Sequence, residues 1–293
     1  MKSGQSRIEL AQELKDQLSQ IGDKRIERIP AAIDGVNALA DAFPDQYHWR
    51  FKTAEAFRAE AEELHRRNAT TIDLNALYWR DSLAIIEAHT VMSLWRMIEI
   101  AQSAFRALEQ DNYIPMSILV RSAFESAIQF VDDARTFAPT LDSLKQIDFE
   151  TQLVESESLE TLLLKSVYGS RMSSSDDIYR SRNILTSIER IAKASKNDPI
   201  RYHYEVLCEL AHPNFLGRSI YLAEVRKGPC EGDEIRIIAH ANGINAPPIL
   251  YSALWALAWS LEGLQVSVHL VQNSIADFLK AHPGLANKRS DKD

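Results

Sequence analysis

I249-L-Y-S-A-L-W-A-L-A-W-S-L261 carries no charge, and after Glu262 and Gly263 the apolar pattern resumes as L264-Q-V-S-V-H-L-V271. Leu250, Leu254, Leu257, Leu261, Leu264, Val268, Val271, Ile275 and Phe278 recur at alternating steps of four and three. That is a seam along one helix, predicted from about 248 to 280 and opened by Pro247-Pro248, where proline suits the first turn. Trp255, Trp259 and Leu270 lie off the seam, so the helix is apolar on more than one face and should sit at the centre of a bundle. A membrane span would want about twenty uncharged residues; this run breaks too soon, and no membrane association is expected.

Working outward, the same spacing predicts two further long helices. One covers about Asp73 to Leu108, with Ala84, Ala88, Val91, Trp95, Ile98, Gln102 and Phe105 as its stripe. The next begins near Ile114-Pro115 and buries Met116, Val120, Ala123, Ala127, Phe130, Ala134 and Phe137. Asp198-Pro199 marks a helix start, and the helix it opens ends at His212-Pro213. S219-I-Y-L-A-E-V225 and E234-I-R-I-I-A239, separated by R-K-G-P-C-E-G-D, read as a hairpin. The expectation is an all-α fold of roughly seven to ten helices, a multi-helix bundle with long central helices and one inserted β-hairpin at about 219–239. Residues 1–70, rich in charge, form an N-terminal arm or cap; 71–283 form the core; 284–293 form a disordered tail.

A chain of 293 residues, 45% hydrophobic and 25% charged, has ample material for a core. Its net charge of −8 argues against a general nucleic-acid coat or a polybasic membrane anchor, while leaving room for a local basic groove. The two cysteines, Cys208 and Cys230, make no CxxC and no disulfide framework, which fits a reducing cytoplasm. The first residues lack the apolar run of a secretory signal.

Chemistry-capable groups enter apolar runs at two places. Arg121 and Glu125 lie one turn apart, flanked by Ile118 and Ile128, and Y204-E-V-L-C-E-L-A-H-P213 carries Tyr204, Glu209 and His212. Buried charge must pair, so Arg121, Glu125 and His212 are expected to converge with Tyr204 nearby. Ile200, Tyr204, Leu207 and Ala211 form the packing stripe of that helix, and Arg201, Glu205, Cys208 and His212 form its neighbour. The bland alternative is a histidine that caps its helix.

This pair of motifs, Arg-x-x-x-Glu and Tyr-x-x-Leu-x-Glu-x-x-His-Pro, resembles an uncharacterised family of bacterial helical proteins. The matching residues are Arg121, Glu125, Tyr204, Leu207, Glu209, His212 and Pro213, within residues 75–280. More distantly the chain is similar to the HEPN superfamily, helical bundles of toxin and antiphage systems, many of which cleave RNA without metal through an Arg-x-x-x-x-His motif. The resemblance implies RNA or a nucleotide as ligand in defence or stress response, with no cofactor; the charged helices of residues 1–70, read as a dimerisation arm or a peripheral cap, add the expectation of a homo-oligomer. His212, Arg121, Glu125 and Tyr204 would be its catalytic candidates, and Arg201, Glu209 and Arg182 its binding candidates. The chain departs from the motif, because Leu207 stands where the arginine belongs; Arg121 would have to replace it from another helix.

In that chemistry His212 is general acid or base at the 2′-hydroxyl or leaving oxygen, and Arg121, oriented by Glu125, neutralises the phosphoryl charge. Residues 161–203 hold eight Lys or Arg against four acids, a bias that a solvated helix face explains equally well. Two other readings remain. Glu62-x-x-His65 and Glu209-x-x-His212 share the spacing of di-metal helical bundles, although the first lies in a heavily charged segment. The polar cluster could also be a structural network in a non-catalytic bundle that oligomerises or binds a partner.

Overall fold

The computed structural model describes residues 7–49, 52–195, 199–212, 214–227, 233–238 and 246–286. The described residues form eleven α-helices and one two-stranded antiparallel sheet, an all-α fold with an inserted hairpin. The helix count exceeds the expected range partly because short pieces, such as Phe215–Ser219 and Pro283–Ala286, leave no periodic trace in the sequence. Among the described residues, no helix is long and apolar enough to cross a membrane.

The chain divides into two compact units, each assembled from three separate stretches, so that it passes between them five times. The first unit holds residues 1–45, 93–130 and 184–265; the second holds 46–92, 131–183 and 266–293. Three long helices contribute to both: α4 (Thr71–Glu109), α5 (Tyr113–Leu144) and α10 (Ala246–Ala281).

In the first unit, α1 (Gln12–Leu18) and α2 (Ile29–Ala42) join the later half of α4, the first half of α5, α7 (Ile184–Ser195), α8 (Ile200–Ala211), α9 (Phe215–Ser219) and the start of α10. Residues 252–260 of α10 are buried without interruption, as expected of a helix apolar on several faces. Phe124 of α5 meets Trp255 and Trp259 of that stretch edge to face, with centroids 6.5 and 5.4 Å apart, a favoured aromatic geometry. The hairpin of β1 (Leu222–Lys227) and β2 (Asp233–Ile237) pairs Val225 with Ile235. Its connecting residues, and Cys230 with them, lie outside the described residues.

The second unit contains α3 (Ala54–Arg66), α6 (Glu157–Val167) and α11 (Pro283–Ala286), with the remaining parts of the long helices. Trp79, Phe149, Phe278 and His282 form an aromatic cluster here. Its polar atoms are satisfied: the Trp79 indole donates to the Val154 carbonyl at 2.8 Å, and the Asn75 amide ties Phe149, Gln152 and Val154 together. In this unit α10 is one-sided, burying Val268, Val271, Ile275 and Phe278 and exposing Leu270.

The α5 stripe is buried at every expected position. On α4 the expected stripe is buried at Ala88, Val91, Ile98 and Phe105, whereas Ala84, Trp95 and Gln102 are half-buried, and Leu83, Ile86, Leu94, Met97, Ala101 and Ala104 widen the buried face. On α8, Pro199 is the N-cap rather than the first helical residue, and Asp198 and Pro213 lie outside the described residues. Residues 1–70 are divided, with 1–45 in the first unit and 46–70 in the second.

Candidate functional site

The first unit brings Arg121, Glu125 and Tyr204 together. On α5, a spacing of four puts Arg121 and Glu125 on one face, and Arg121 Nε donates to Glu125 Oε1 at 3.1 Å. The Tyr204 hydroxyl, arriving from α8, donates to the same oxygen at 3.2 Å. The Arg121 guanidinium carbon also lies 5.9 Å from the centre of the Tyr204 ring. Tyr204 reaches this place because Ile200, His203, Leu207 and Leu210 bury the adjoining face of α8. Leu210, near the end of α8, clusters with Ile220, Ala246 and Ile249, and Tyr113 and Ile114 at the start of α5 pack against them. Glu125 therefore meets α8 at Tyr204, in the first half of that helix.

The cluster is neither sealed nor bare: the Arg121 and Glu125 side chains are 25% and 26% exposed. Burial pushes the Tyr204 hydroxyl far above its usual range, reinforced by its hydrogen bond with Cys208 and the charge of Glu125, so it stays protonated. For Arg121, burial works against the charged form, but Glu125, Cys208 and Tyr204 outweigh it and hold the guanidinium pKa above its usual value. The result is a fixed cation, a carboxylate with one oxygen twice engaged, and a neutral phenol.

His212 does not join them. It is the C-cap of α8, its backbone N–H donates to the Cys208 carbonyl at 3.1 Å, and its side chain is exposed. Among the described residues that side chain makes no hydrogen bond or ion pair with Arg121 or Glu125. The physical reason is that Tyr204, two turns earlier, already supplies the partner that Glu125 requires. Glu209 accepts from Asn214 at 3.1 Å in the turn after α8, and that turn is tight: a Cβ at Gly217 would lie 3.2 Å from the carbonyl oxygens of Leu210 and His212. Arg201 pairs with Glu205 on the solvent side, both well exposed.

Arg182 belongs to a different constellation, in the second unit. Its guanidinium bridges Asp132 (3.2 Å) and Asp133 of α5, and Asp133 also engages His89 of α4 at 3.1 Å. The side chains of Asp132, Asp133, Arg182 and His89 are at most 15% exposed, which makes this the most deeply buried ionic network among the described residues. Sequence reasoning missed it. Arg182 was named as a binding candidate, but the two adjacent acids in F-V-D-D-A-R that hold it were not singled out, because nothing in their own helix marks them as buried.

His203 was missed as well. It is buried in the first unit, stacked on Trp255 at 4.1 Å, with Arg25 over the same indole at 4.5 Å. Burial and the Arg25 charge, only partly opposed by Asp23, push its pKa down to about 4. It is neutral in the folded protein at neutral pH, and among the described residues its Nδ1 has no hydrogen-bond partner.

Glu62 and His65 lie on the uncovered α3, and among the described residues no group of three or more His, Cys, Asp or Glu is placed to hold a metal ion. No protein-family model, curated protein or solved structure matches the chain.

Proposed function

We propose that the chain is a HEPN-like helical protein that engages a phosphate-bearing ligand, RNA or a nucleotide, at Arg121. The observation that carries this reading is the way Arg121 is held. Glu125 grips it through Nε, which orients the guanidinium so that its terminal nitrogens form a fork, the arrangement suited to phosphate oxygens. A quarter of the side chain is open to solvent, so a ligand can reach it. Tyr204 fixes the carboxylate that fixes the arginine, and is a positioning residue.

His212 follows Cys208 by one turn at the end of α8, and its exposed imidazole makes no side-chain hydrogen bond or ion pair among the described residues. In this reading a phosphodiester seated on Arg121 would reach His212, which would take the proton from a 2′-hydroxyl as Arg121 neutralised the phosphoryl oxygens. A second reading draws on a separate observation: Glu125 Oε1 is already shared by Arg121 and Tyr204. The cluster would then be a structural clamp in a non-catalytic bundle that oligomerises or binds a partner.

An RNA-cleavage assay with EDTA present, run on the native chain and on folded His212→Ala and Arg121→Ala, separates the two. Cleavage lowered by roughly a hundredfold or more in both variants supports the first. An inert native chain whose Arg121→Ala variant melts at lower temperature supports the clamp.

A further inference from the structure

The loop between α6 and α7 carries a second, independent site. Residues 169–183 leave α6 at Gly169, where a Cβ would lie 2.1 Å from the Lys165 carbonyl oxygen, and fold back on themselves. Ser170 N–H donates to the Tyr179 carbonyl at 2.8 Å, and Ser181 N–H donates to the Ser170 carbonyl at 3.0 Å. The returning segment ends at Arg182, whose ion pairs with the buried Asp132 and Asp133 root the loop in the second unit. A long polar connection rooted in this way is characteristic of a binding loop rather than a spacer.

Two open clefts flank the Ser170 bridge, and Ser170 lines both. One, of about 440 Å³, is walled by Leu164, Tyr168 and Tyr179, with Asp176 at its edge. The other, of about 370 Å³, is walled by Arg171, Arg180 and Arg182, with Ser173, Ser181 and Asn183. Each volume falls within the roughly 300–1,000 Å³ of small-molecule sites. Their chemistries are complementary halves: aromatic faces suit a planar ring, and guanidinium and hydroxyl donors suit a phosphate. Tyr168 is steadied from behind by the ring of Trp49, with centroids 6.0 Å apart. Arg182 is neutralised by its two aspartates, so the anion-binding charge comes from Arg171, which has no ion pair among the described residues, and Arg180, whose Asp177 partner at 2.8 Å is itself exposed.

We propose that this loop binds a nucleoside monophosphate, with its phosphate against Arg171 and Arg180, its base against Tyr168 and Tyr179, and Ser170 between them. Asp176 is the acceptor for the base amino group or the ribose hydroxyls. The inference does not depend on any ligand at Arg121.

The test is equilibrium binding of AMP to the full chain, by calorimetry, beside inorganic phosphate and adenosine as separate probes. The variants are Arg171→Ala/Arg180→Ala together and Tyr179→Ala, all three side chains being exposed, so the fold tolerates their loss. Saturable AMP binding is expected, tighter than phosphate or adenosine alone and weakened at least tenfold in each variant. No saturable AMP binding up to millimolar concentration, equal affinity for phosphate and AMP, or affinity unchanged in both variants overturns the proposal. AMP binding lost in Arg121→Ala but retained in the loop variants also overturns it, and leaves the Arg121 reading standing.

Discussion

Helix α5 carries two ionic clusters, one in each unit, and they differ in depth. Arg121–Glu125–Tyr204 is a quarter open to water, contains one acid and one base, and is built largely within a single helical turn. Asp132–Asp133–Arg182–His89 is nearly closed, gathers two acids around one guanidinium, and recruits partners from α4 and the α6–α7 loop. A group that keeps some water can exchange its partner for a ligand at modest cost. A group that has lost its water depends on the partner it has, because an unpaired buried charge is several kilocalories less stable than a paired one. The first cluster is therefore suited to binding, the second to anchoring.

The sharpest way to break this contrast is Asp133→Ala, which leaves both Arg182 and His89 without their shared carboxylate. The expected loss is about 3–5 kcal/mol by urea unfolding; a loss below about 1 kcal/mol would mean that the network is not an anchor.

Acid sharpens the comparison through the first unit's buried His203. His203 has a folded pKa of about 4 against the ordinary value of about 6.5, so the unfolded chain binds more protons between these limits. Its contribution is fully present above about pH 6.5, is lost as pH falls toward 4, and changes no further below. Allowing for solvent screening, the loss is on the order of 2 kcal/mol. Urea midpoints at pH 7, 5.5 and 4.5 should show it, and His203→Phe, which keeps a ring against Trp255, should flatten that part of the profile. An equally steep profile in the variant would assign the acid sensitivity elsewhere.

Glu125→Gln is a smaller perturbation, about 1–2 kcal/mol, since Arg121 can recover water. Added salt should weaken the native contribution of this pair more than that of Arg182, because screening acts on accessible charge. Equal salt sensitivity of the Glu125 and Asp133 substitutions would erase the distinction. Tyr204→Phe removes a single donor from an oxygen that Arg121 still engages; about 0.5–1.5 kcal/mol is expected from thermal or urea unfolding.

The same contrast explains what could be read from sequence. Arg121 and Glu125 were visible because their pairing is local, four residues apart on one helix, and Tyr204 because apolar neighbours surrounded it. Asp133 was invisible because His89 lies 44 residues away and Arg182 lies 49, on a loop with no periodicity. His203 was hidden between two tyrosines, since a stripe of helical period admits a histidine only when something flat awaits it, and Trp255 is on another helix. The α5 and α10 seams were legible because their apolar residues keep one spacing. The stripe of α4 was legible at Ala88, Val91, Ile98 and Phe105 but not in its full width, because the helix offers apolar side chains on more than one side and only its neighbours decide which others go inside. His212 was placed in the cluster from the need of buried charge to pair, a need that Tyr204 met first.

The passage of the chain between its units has a practical meaning for anyone cutting it. Each unit draws on three stretches of sequence, and α4, α5 and α10 contribute to both. No contiguous fragment contains either unit whole without also carrying most of the other. Truncation libraries and domain-by-domain expression would return pieces with raw apolar ends, and deletion phenotypes would report loss of the entire protein. Point substitutions are the instrument by which the roles of Arg121 and the 169–183 loop can be told apart.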